Sequence, residues 1–78
     1  MAKFLTYPIK MLESMASEFV PYATDGKAEL AYIENPGHNI YDVYIRIWDE
    51  TEKRKVTKYW KCFTADGIID AYSDIKKI

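Results

Sequence analysis

The sequence predicts a small α+β domain in which a helix is followed by a three-stranded antiparallel meander and a closing helix. Three observations support this order. Apolar residues recur at helical spacing near both ends, the middle of the chain alternates with a period of two, and Gly, Pro and polar clusters separate these segments. Because 78 residues make one domain, we expect residues 1–78 to form a single unit with both helices on one face of the sheet.

The first helix is predicted from an apolar stripe at helical spacing. The stripe consists of Ile9, Leu12, Met15, Ala16 and Phe19. Pro8 suits the first helical turn, and Thr6 before it is a suitable cap. Pro21 lacks the backbone N–H that a helix needs, so we expect the helix to end near Phe19 or Val20.

The first strand is predicted from Lys27 to Glu34, after a turn at Asp25-Gly26. Alternation along this strand places three residues on one face: Ala28, Leu30 and Tyr32. The Pro-Gly segment from Asn35 to Asn39 is expected to be a loop. A short strand at Lys3–Tyr7 would add a fourth to the sheet.

A hairpin forms the rest of the predicted sheet. Ile40–Asp49 is rich in β-branched and aromatic residues, and a polar turn over Asp49–Lys53 leads to a strand at Arg54–Phe63. Alternation predicts an apolar inner face made of Tyr41, Val43, Ile45, Ile47, Val56, Trp60 and Cys62. Lys58 interrupts this face, which is compatible with a position at the edge of the sheet.

The closing helix has signals at both of its ends. Thr64 is a typical N-cap residue, and Asp66 suits the positive end of the helix dipole. Lys76 and Lys77 suit the negative end in the last turn. The apolar stripe between them consists of Ile68, Ile69, Tyr72 and Ile75.

The sequence lacks the residue sets of common enzymes. Cys62 is the only cysteine and His38 the only histidine, and they lie on a predicted inner strand face and in a loop respectively. Asp66, Asp70 and Asp74 line one helix face but offer too few ligands for a metal site. The acids around Asp49 lie in a predicted turn and not in a pocket, where an acid–base pair would need to be. The glycines are isolated, so they do not form a phosphate-binding loop. We therefore predict a non-enzymatic protein with no cofactor.

Net charge and targeting signals limit the cellular compartment and the classes of partner that we expect. The net charge is −1, although residues 44–64 carry six basic and three acidic side chains. That excess is too small to identify a nucleic-acid-binding protein. The chain has a single cysteine, no secretion signal and no apolar stretch of the ~20 residues that span a membrane. We expect a cytoplasmic protein without a membrane partner.

The outward face of the hairpin is the predicted binding site. Aromatic and cationic residues alternate there, and such residues dominate binding hot spots and also suit stacking on nucleic acid. The candidate partner-binding residues are Tyr44, Arg46, Trp48, Lys55, Tyr59 and Lys61, with Thr57 between them. The alternative is that the N-terminal residues Phe4, Leu5 and Tyr7, or a second copy of the chain, cover these rings.

The second half of the chain has the pattern Tyr44-Ile45-Arg46-Ile47-Trp48-Asp49, then Lys53-Arg54-Lys55, then Cys62-Phe63-Thr64-Ala65 at the start of a helix with Ala71. Through this pattern, residues 41–78 resemble the arm-type (AP2-like) DNA-binding domain of phage and transposon integrases. The resemblance implies three strands and a helix, with the sheet face in the DNA major groove. The sequence departs from the family at Glu52 and Lys61-Cys62, where glycines are usual, and at Asp66-Gly67.

Three functional hypotheses follow. The first is a protein-binding domain, such as a small accessory or inhibitory protein of phage or mobile-element type. The second is duplex DNA binding through the outward hairpin face, as the resemblance implies. The third, an enzyme, lacks a catalytic set. Self-association as a homodimer is compatible with the first hypothesis. The element order also matches double-stranded RNA-binding domains, but these begin their last helix with lysines, which Thr64-Ala65-Asp66-Gly67 lacks.

Overall fold

The structure, a computed structural model, describes residues 8–76. Within this range the elements are α1 (Ile9–Ala23), β1 (Ala28–Gly37), β2 (Ile40–Asp49), β3 (Arg54–Phe63) and α2 (Ala65–Lys76). The strands form one antiparallel sheet in the order β1-β2-β3, which confirms the predicted fold. The predictions for Thr6, for a strand at Lys3–Tyr7 and for Lys77 concern residues outside the described range.

Helix α1 continues past the proline at which the sequence predicted its end. It runs to Ala23 with Pro21 inside it, so the expected end near Phe19 or Val20 is wrong. The helix completes its last turn beyond the proline, where the Val20 carbonyl accepts the Thr24 N–H at 3.0 Å. The Pro21 carbonyl accepts the Gly26 N–H at 2.7 Å and so begins the turn at Asp25-Gly26, where both residues have positive φ.

The core lies between the two helices and one face of the sheet, which we call the inner face. The buried residues come from α1, β1, β2 and α2: Leu12, Ala16, Phe19, Val20, Ala28, Ile33, Tyr41, Val43, Ile45, Ala65 and Ile68. β3 adds the half-buried rings of Trp60 and Phe63. Phe19 of α1 packs its ring 5.6 Å from that of Phe63 and 6.4 Å from that of Trp60. These contacts hold α1 against the far edge of the sheet and confirm the predicted inner position of Trp60.

Both edge strands contain a β-bulge opposite the same part of β2. In β1, Leu30 pairs with Ile45 and Tyr32 with Tyr44, so Ala31 is an extra residue. In β3, Tyr59 pairs with Tyr44 and Lys61 with Val43, so Trp60 is an extra residue. Each extra residue reverses the alternation that follows it, because the side-chain period of a strand is two.

The bulge in β1 corrects the predicted faces of the first strand. Ala28 and Leu30 lie on the inner face as expected, but Tyr32 lies on the opposite face and Ile33 takes the inner position, where it is 5% exposed. The predicted loop from Asn35 to Asn39 is also wrong in extent. β1 continues to Gly37, which pairs with Ile40, so only two residues form the turn. Pro36 is tolerated because β1 is an edge strand.

Helix α2 begins with two caps, of which one comes from a distant turn. The predicted cap Thr64 accepts the Gly67 N–H at 3.0 Å through its hydroxyl oxygen. The side-chain oxygen of Asn39, in the β1–β2 turn, accepts the Ala65 N–H at 2.9 Å. Asn39 has a φ of 55°, a conformation that asparagine tolerates better than most residues. This bond ties the start of α2 to one end of the sheet.

Candidate functional site

The face of the sheet opposite the helices is the candidate site, and we call it the outer face. Val43 and Ile45 point to the inner face, so Tyr44 and Arg46 between them point outward. Of the described elements, the two that could cover a sheet face are α1 and α2, and both pack on the inner one. The outer face is therefore uncovered by any helix or strand between residues 8 and 76.

Three tyrosines, one from each strand, cross the middle of the outer face and form what we call the tyrosine row. Tyr32 and Tyr44 stack with ring centroids 4.6 Å apart and planes 20° apart. Tyr44 meets Tyr59 edge to face at 5.7 Å and 70°. Cross-strand aromatic pairs in these geometries stabilise a sheet and fix the rings in place. The row therefore presents a preorganised aromatic surface.

On one side of the tyrosine row lies a charged group centred on Glu29. Arg46 pairs with Glu29 across β1 and β2, and the Arg46 Nε lies 4.0 Å from the Glu29 carboxylate. Lys55 of β3 reaches over β2 to the same carboxylate, with its Nζ 3.3 Å away. Trp48 pairs with Lys55 and projects beside this group. One carboxylate thus partly neutralises two of the cations predicted to bind a partner.

On the other side of the tyrosine row lie Glu34 and Asp42, which pair with each other across β1 and β2. Loss of hydration, a hydrogen bond to Glu34 and the nearby carboxylates raise the pKa of Tyr44 above its ordinary value of 10.0. Loss of hydration and the charge of Asp42 likewise raise the pKa of Tyr59. Tyr44 and Tyr59 are therefore neutral hydrogen-bonding groups at physiological pH.

Exposure shows how much of the aromatic surface solvent reaches. Tyr59 is 52% exposed, Trp48 50% and Tyr32 42%, whereas Tyr44 in the middle is half-buried between its neighbours. Large rings are usually buried, so three half-exposed rings on one sheet face make this surface the candidate binding site. Beside Trp48, an open cavity of about 310 Å³ is lined by Lys27, Ile47, Trp48 and Glu50.

Five of the six residues predicted to bind a partner lie together on the outer face. They are Tyr44, Arg46, Trp48, Lys55 and Tyr59. Lys61 does not, because the bulge at Trp60 pairs it with the inner residue Val43, and its Nζ lies 4.8 Å from the centre of the Trp60 ring. The same bulge places Cys62 opposite Asp42 on the outer face, exposed rather than in the core as expected.

Sequence reasoning missed four outer-face residues: Tyr32, Glu29, Glu34 and Asp42. Alternation predicts the outward face for Asp42, but a single carboxylate among rings and cations carries no binding signal of its own. Tyr32 was predicted to share a face with Ala28 and Leu30, and the bulge at Ala31 moves it to the outer face together with Glu34. The remaining signal was composition, since Tyr32 is an aromatic residue in an edge strand of a chain with seven tyrosines.

Between residues 8 and 76, no group of three or more His, Cys, Asp or Glu side chains is arranged to hold a metal ion. This includes the acidic stripe of Asp66, Asp70 and Asp74 on α2. Neither α1 nor α2 has the length and apolar character required of a membrane-spanning helix.

Comparison with protein-family models, with curated proteins and with solved structures gave no match. The resemblance of residues 41–78 to integrase arm-type domains therefore stays a prediction. The candidate function depends on the geometry and charge of the outer face.

Proposed function

We propose that this chain is a non-enzymatic binding domain that acts by protein–protein contact through its outer face. The observation that carries the proposal is the tyrosine row, together with the half-exposed ring of Trp48. Tyr and Trp offer large contact areas at a low cost in side-chain entropy and dominate protein interfaces. Rings already fixed by their neighbours lose little further freedom when a partner binds.

The charge of the outer face favours a protein partner over nucleic acid. Three bases (Lys27, Arg46 and Lys55) stand against three acids (Glu29, Glu34 and Asp42). Binding to DNA depends on cations that replace the counterions of phosphates, and nearby carboxylates oppose this. Balanced charges of both signs, in contrast, are typical of the polar rim around an aromatic protein interface.

A binding domain of this kind works by occupying a surface of its partner. This mode of action fits a small accessory or inhibitory protein, such as those of phages and mobile elements. The open cavity beside Trp48 would receive one side chain of the partner, and the tyrosine row would form the flat centre of the contact. Glu29, which contacts both Arg46 and Lys55, would keep these two long side chains in place beside the tyrosine row.

Duplex DNA binding is the second candidate, and one observation favours it. β3 carries Arg54, Lys55, Lys58 and Lys61 and no acidic residue. A basic edge strand of this kind could follow a phosphate backbone while the outer face enters a groove, as the resemblance to integrase arm-type domains implies. The two candidates predict different cross-linked products and different salt dependence.

The decisive experiment is photo-cross-linking from a defined position. Thr57 is exposed and pairs with Arg46, so a photoreactive residue at position 57 would lie in the middle of the outer face. Thr51, in the β2–β3 turn, is the matched control position. We expect the probe at position 57 to give a discrete protein adduct in a lysate of the source cells, and the probe at position 51 to give none.

The same experiment tests the alternative. An adduct with nucleic acid from position 57, or a mobility shift with duplex DNA that Arg46→Ala abolishes, would replace protein binding by DNA binding. Phosphate-driven binding should also weaken steeply between about 50 and 200 mM salt, whereas a contact made by rings should change little. Equal adducts from positions 57 and 51 would contradict both assignments of the outer face.

A further inference from the structure

We propose that the outer face binds a second copy of this chain, in a two-fold arrangement with the strands antiparallel. This inference rests on the proposed function, because it requires that the outer face is a protein-binding surface. It adds the identity of the partner. The observation behind it is that the charges of the outer face are separated along the strand direction.

The separation is seen by following the paired residues from one end of the sheet to the other. Glu34 and Asp42 lie at one end, which we call the acidic end. Then come the tyrosine row and the group formed by Glu29 and Arg46. The far end carries Lys55 and, one residue before β1 begins, Lys27 beside Trp48. Glu50, which lines the same cavity, pairs with Lys53 of the β2–β3 turn at 3.5 Å. We call this the basic end.

A surface of this kind is complementary to itself in one orientation. A two-fold axis that lies in the plane of the interface, perpendicular to the strands, reverses the strand direction and brings the acidic end of one copy against the basic end of the other. Strand β1 then faces β1, so Glu34 meets Lys27 of the second copy. An axis along the strands would oppose Asp42 to Asp42 of the second copy and bring the two acidic ends together, which like-charge repulsion disfavours.

The same orientation gives the aromatic centre suitable partners. Tyr44 of one copy faces Arg46 of the other, because these residues occupy adjacent outward positions of the central strand. A guanidinium over a tyrosine ring is a favourable cation–π contact. The hydroxyl of Tyr32 faces Glu29 of the second copy, which can accept its hydrogen bond. Glu29 keeps its contacts with Arg46 and Lys55 of its own copy in this arrangement.

The available area is that of a weak dimer. Tyr32, Trp48 and Tyr59 are 42–52% exposed, so each leaves roughly 100 Å² of ring surface uncovered, given about 150–250 Å² for a whole aromatic side chain. Together with the charged side chains around them, these rings give the outer face an area somewhat below the about 800 Å² that each partner buries in a standard interface. The dimer should therefore be concentration dependent.

Charge reversal tests this arrangement because reversing one end removes the charge complementarity of the two copies, and reversing the other end as well restores it. Two double variants are needed: Glu34→Lys with Asp42→Lys, which leaves Glu29 as the acid of the outer face, and Lys27→Glu with Lys55→Glu, which leaves Arg46 as its base. The quadruple variant reverses both ends and keeps the net charge of the wild type. Circular dichroism establishes that each variant is folded before its mass is measured by light scattering.

We expect the wild type to have twice its monomer mass of 9.1 kDa at about 100 µM. Each double variant should be monomeric at this concentration. An equimolar mixture of the two should be dimeric, because one now has two positive ends and the other two negative ends. The quadruple variant should be dimeric as well. A wild type that is monomeric from about 100 µM to about 1 mM, or a mixture of double variants that does not associate, would overturn the proposal.

The experiments distinguish a failure of the dimer proposal from a failure of the proposed protein-binding function. If the partner is a different protein, the position 57 probe still gives a protein adduct, but its mass is not that of a dimer and the quadruple variant loses it. If the partner is this chain, purified protein alone gives the dimer adduct. An adduct with another protein from a monomeric wild type would retain the proposed function and overturn this inference.

Discussion

The two faces of the sheet use the same kinds of residue for different purposes. On the inner face, Phe19, Trp60 and Phe63 pack together with aliphatic side chains; Phe19 is only 2% exposed, and the other two rings are half-buried. On the outer face, Tyr32 and Tyr44 stack at a shorter centroid distance of 4.6 Å, yet the row stays partly in contact with solvent. Ring packing therefore does not by itself identify the core. The helices identify it, because they cover one face.

The largest change in the free energy of unfolding should come from a substitution on the inner face. Phe19→Ala removes a ring that is 2% exposed, and substitutions of this kind cost about 3–5 kcal/mol. Because a domain of this size has about 3–5 kcal/mol of net stability, the variant should be largely unfolded at 25 °C. Urea denaturation followed by circular dichroism measures this. A cooperative transition within about 1 kcal/mol of the wild type would contradict the assignment of the core.

Trp48→Ala, on the outer face, should weaken binding strongly and change stability little. Its ring is 50% exposed, so the free energy of unfolding should change by less than about 1 kcal/mol. Binding of the partner should weaken at least about tenfold, because a half-exposed Trp at an interface is a typical hot spot. Lys53→Ala in the β2–β3 turn is the control and should change the affinity less than about twofold. Titration calorimetry or light scattering measures both, and equal effects would exclude Trp48 from the interface.

Asn39→Gly should have an intermediate effect on stability. Glycine keeps the positive φ of position 39 but loses the side-chain oxygen that accepts the Ala65 N–H. We expect a loss of about 1 kcal/mol, as for other helix caps. Asn39→Ala should cost more because it also strains the backbone. If Asn39→Gly unfolds at the same urea concentration as the wild type, the bond contributes nothing to the attachment of α2.

The smallest effect concerns the protonation of Tyr44. Its pKa is raised by loss of hydration and by its hydrogen bond to Glu34, so its contribution to stability is complete below pH 10.0 and is lost as the pH rises through the folded-state value. Glu34→Gln should bring the pKa of Tyr44 back toward 10.0. Tyrosinate absorbance measures this, with Tyr44→Phe as the reference for the signal of the other tyrosines. An unchanged titration curve in Glu34→Gln would contradict this contact.

The sequence was sufficient for the fold because each element carries its own local signal. The strands Ile40–Asp49 and Arg54–Phe63 were predicted with the bounds that the structure has. Thr64 was predicted as the cap of α2, and its hydroxyl does accept the Gly67 N–H. The inner positions of Val43 and Ile45 followed from alternation. These features depend on a few neighbouring residues, which a single sequence shows.

The errors arose where one residue was added to a strand. The extra residues Ala31 and Trp60 have no local marker, because nothing in their neighbours' composition distinguishes a bulge from regular pairing. Each bulge exchanged the faces of later residues, and so Tyr32 was missed and Lys61 was wrongly placed. The registers depend on which rings fit against Phe19 and against Tyr44 in three dimensions. Only the folded sheet contains that information.

The bond from Asn39 to Ala65 joins residues 26 positions apart in the chain and has a consequence for the order of folding. A 12-residue helix is too short to be stable alone in water, and α2 lacks part of its cap until the β1–β2 turn has closed. The hairpin should therefore form before the C-terminal helix is complete. A peptide of residues 64–76 would then be mostly unstructured, and refolding would be limited by strand pairing rather than by helix formation.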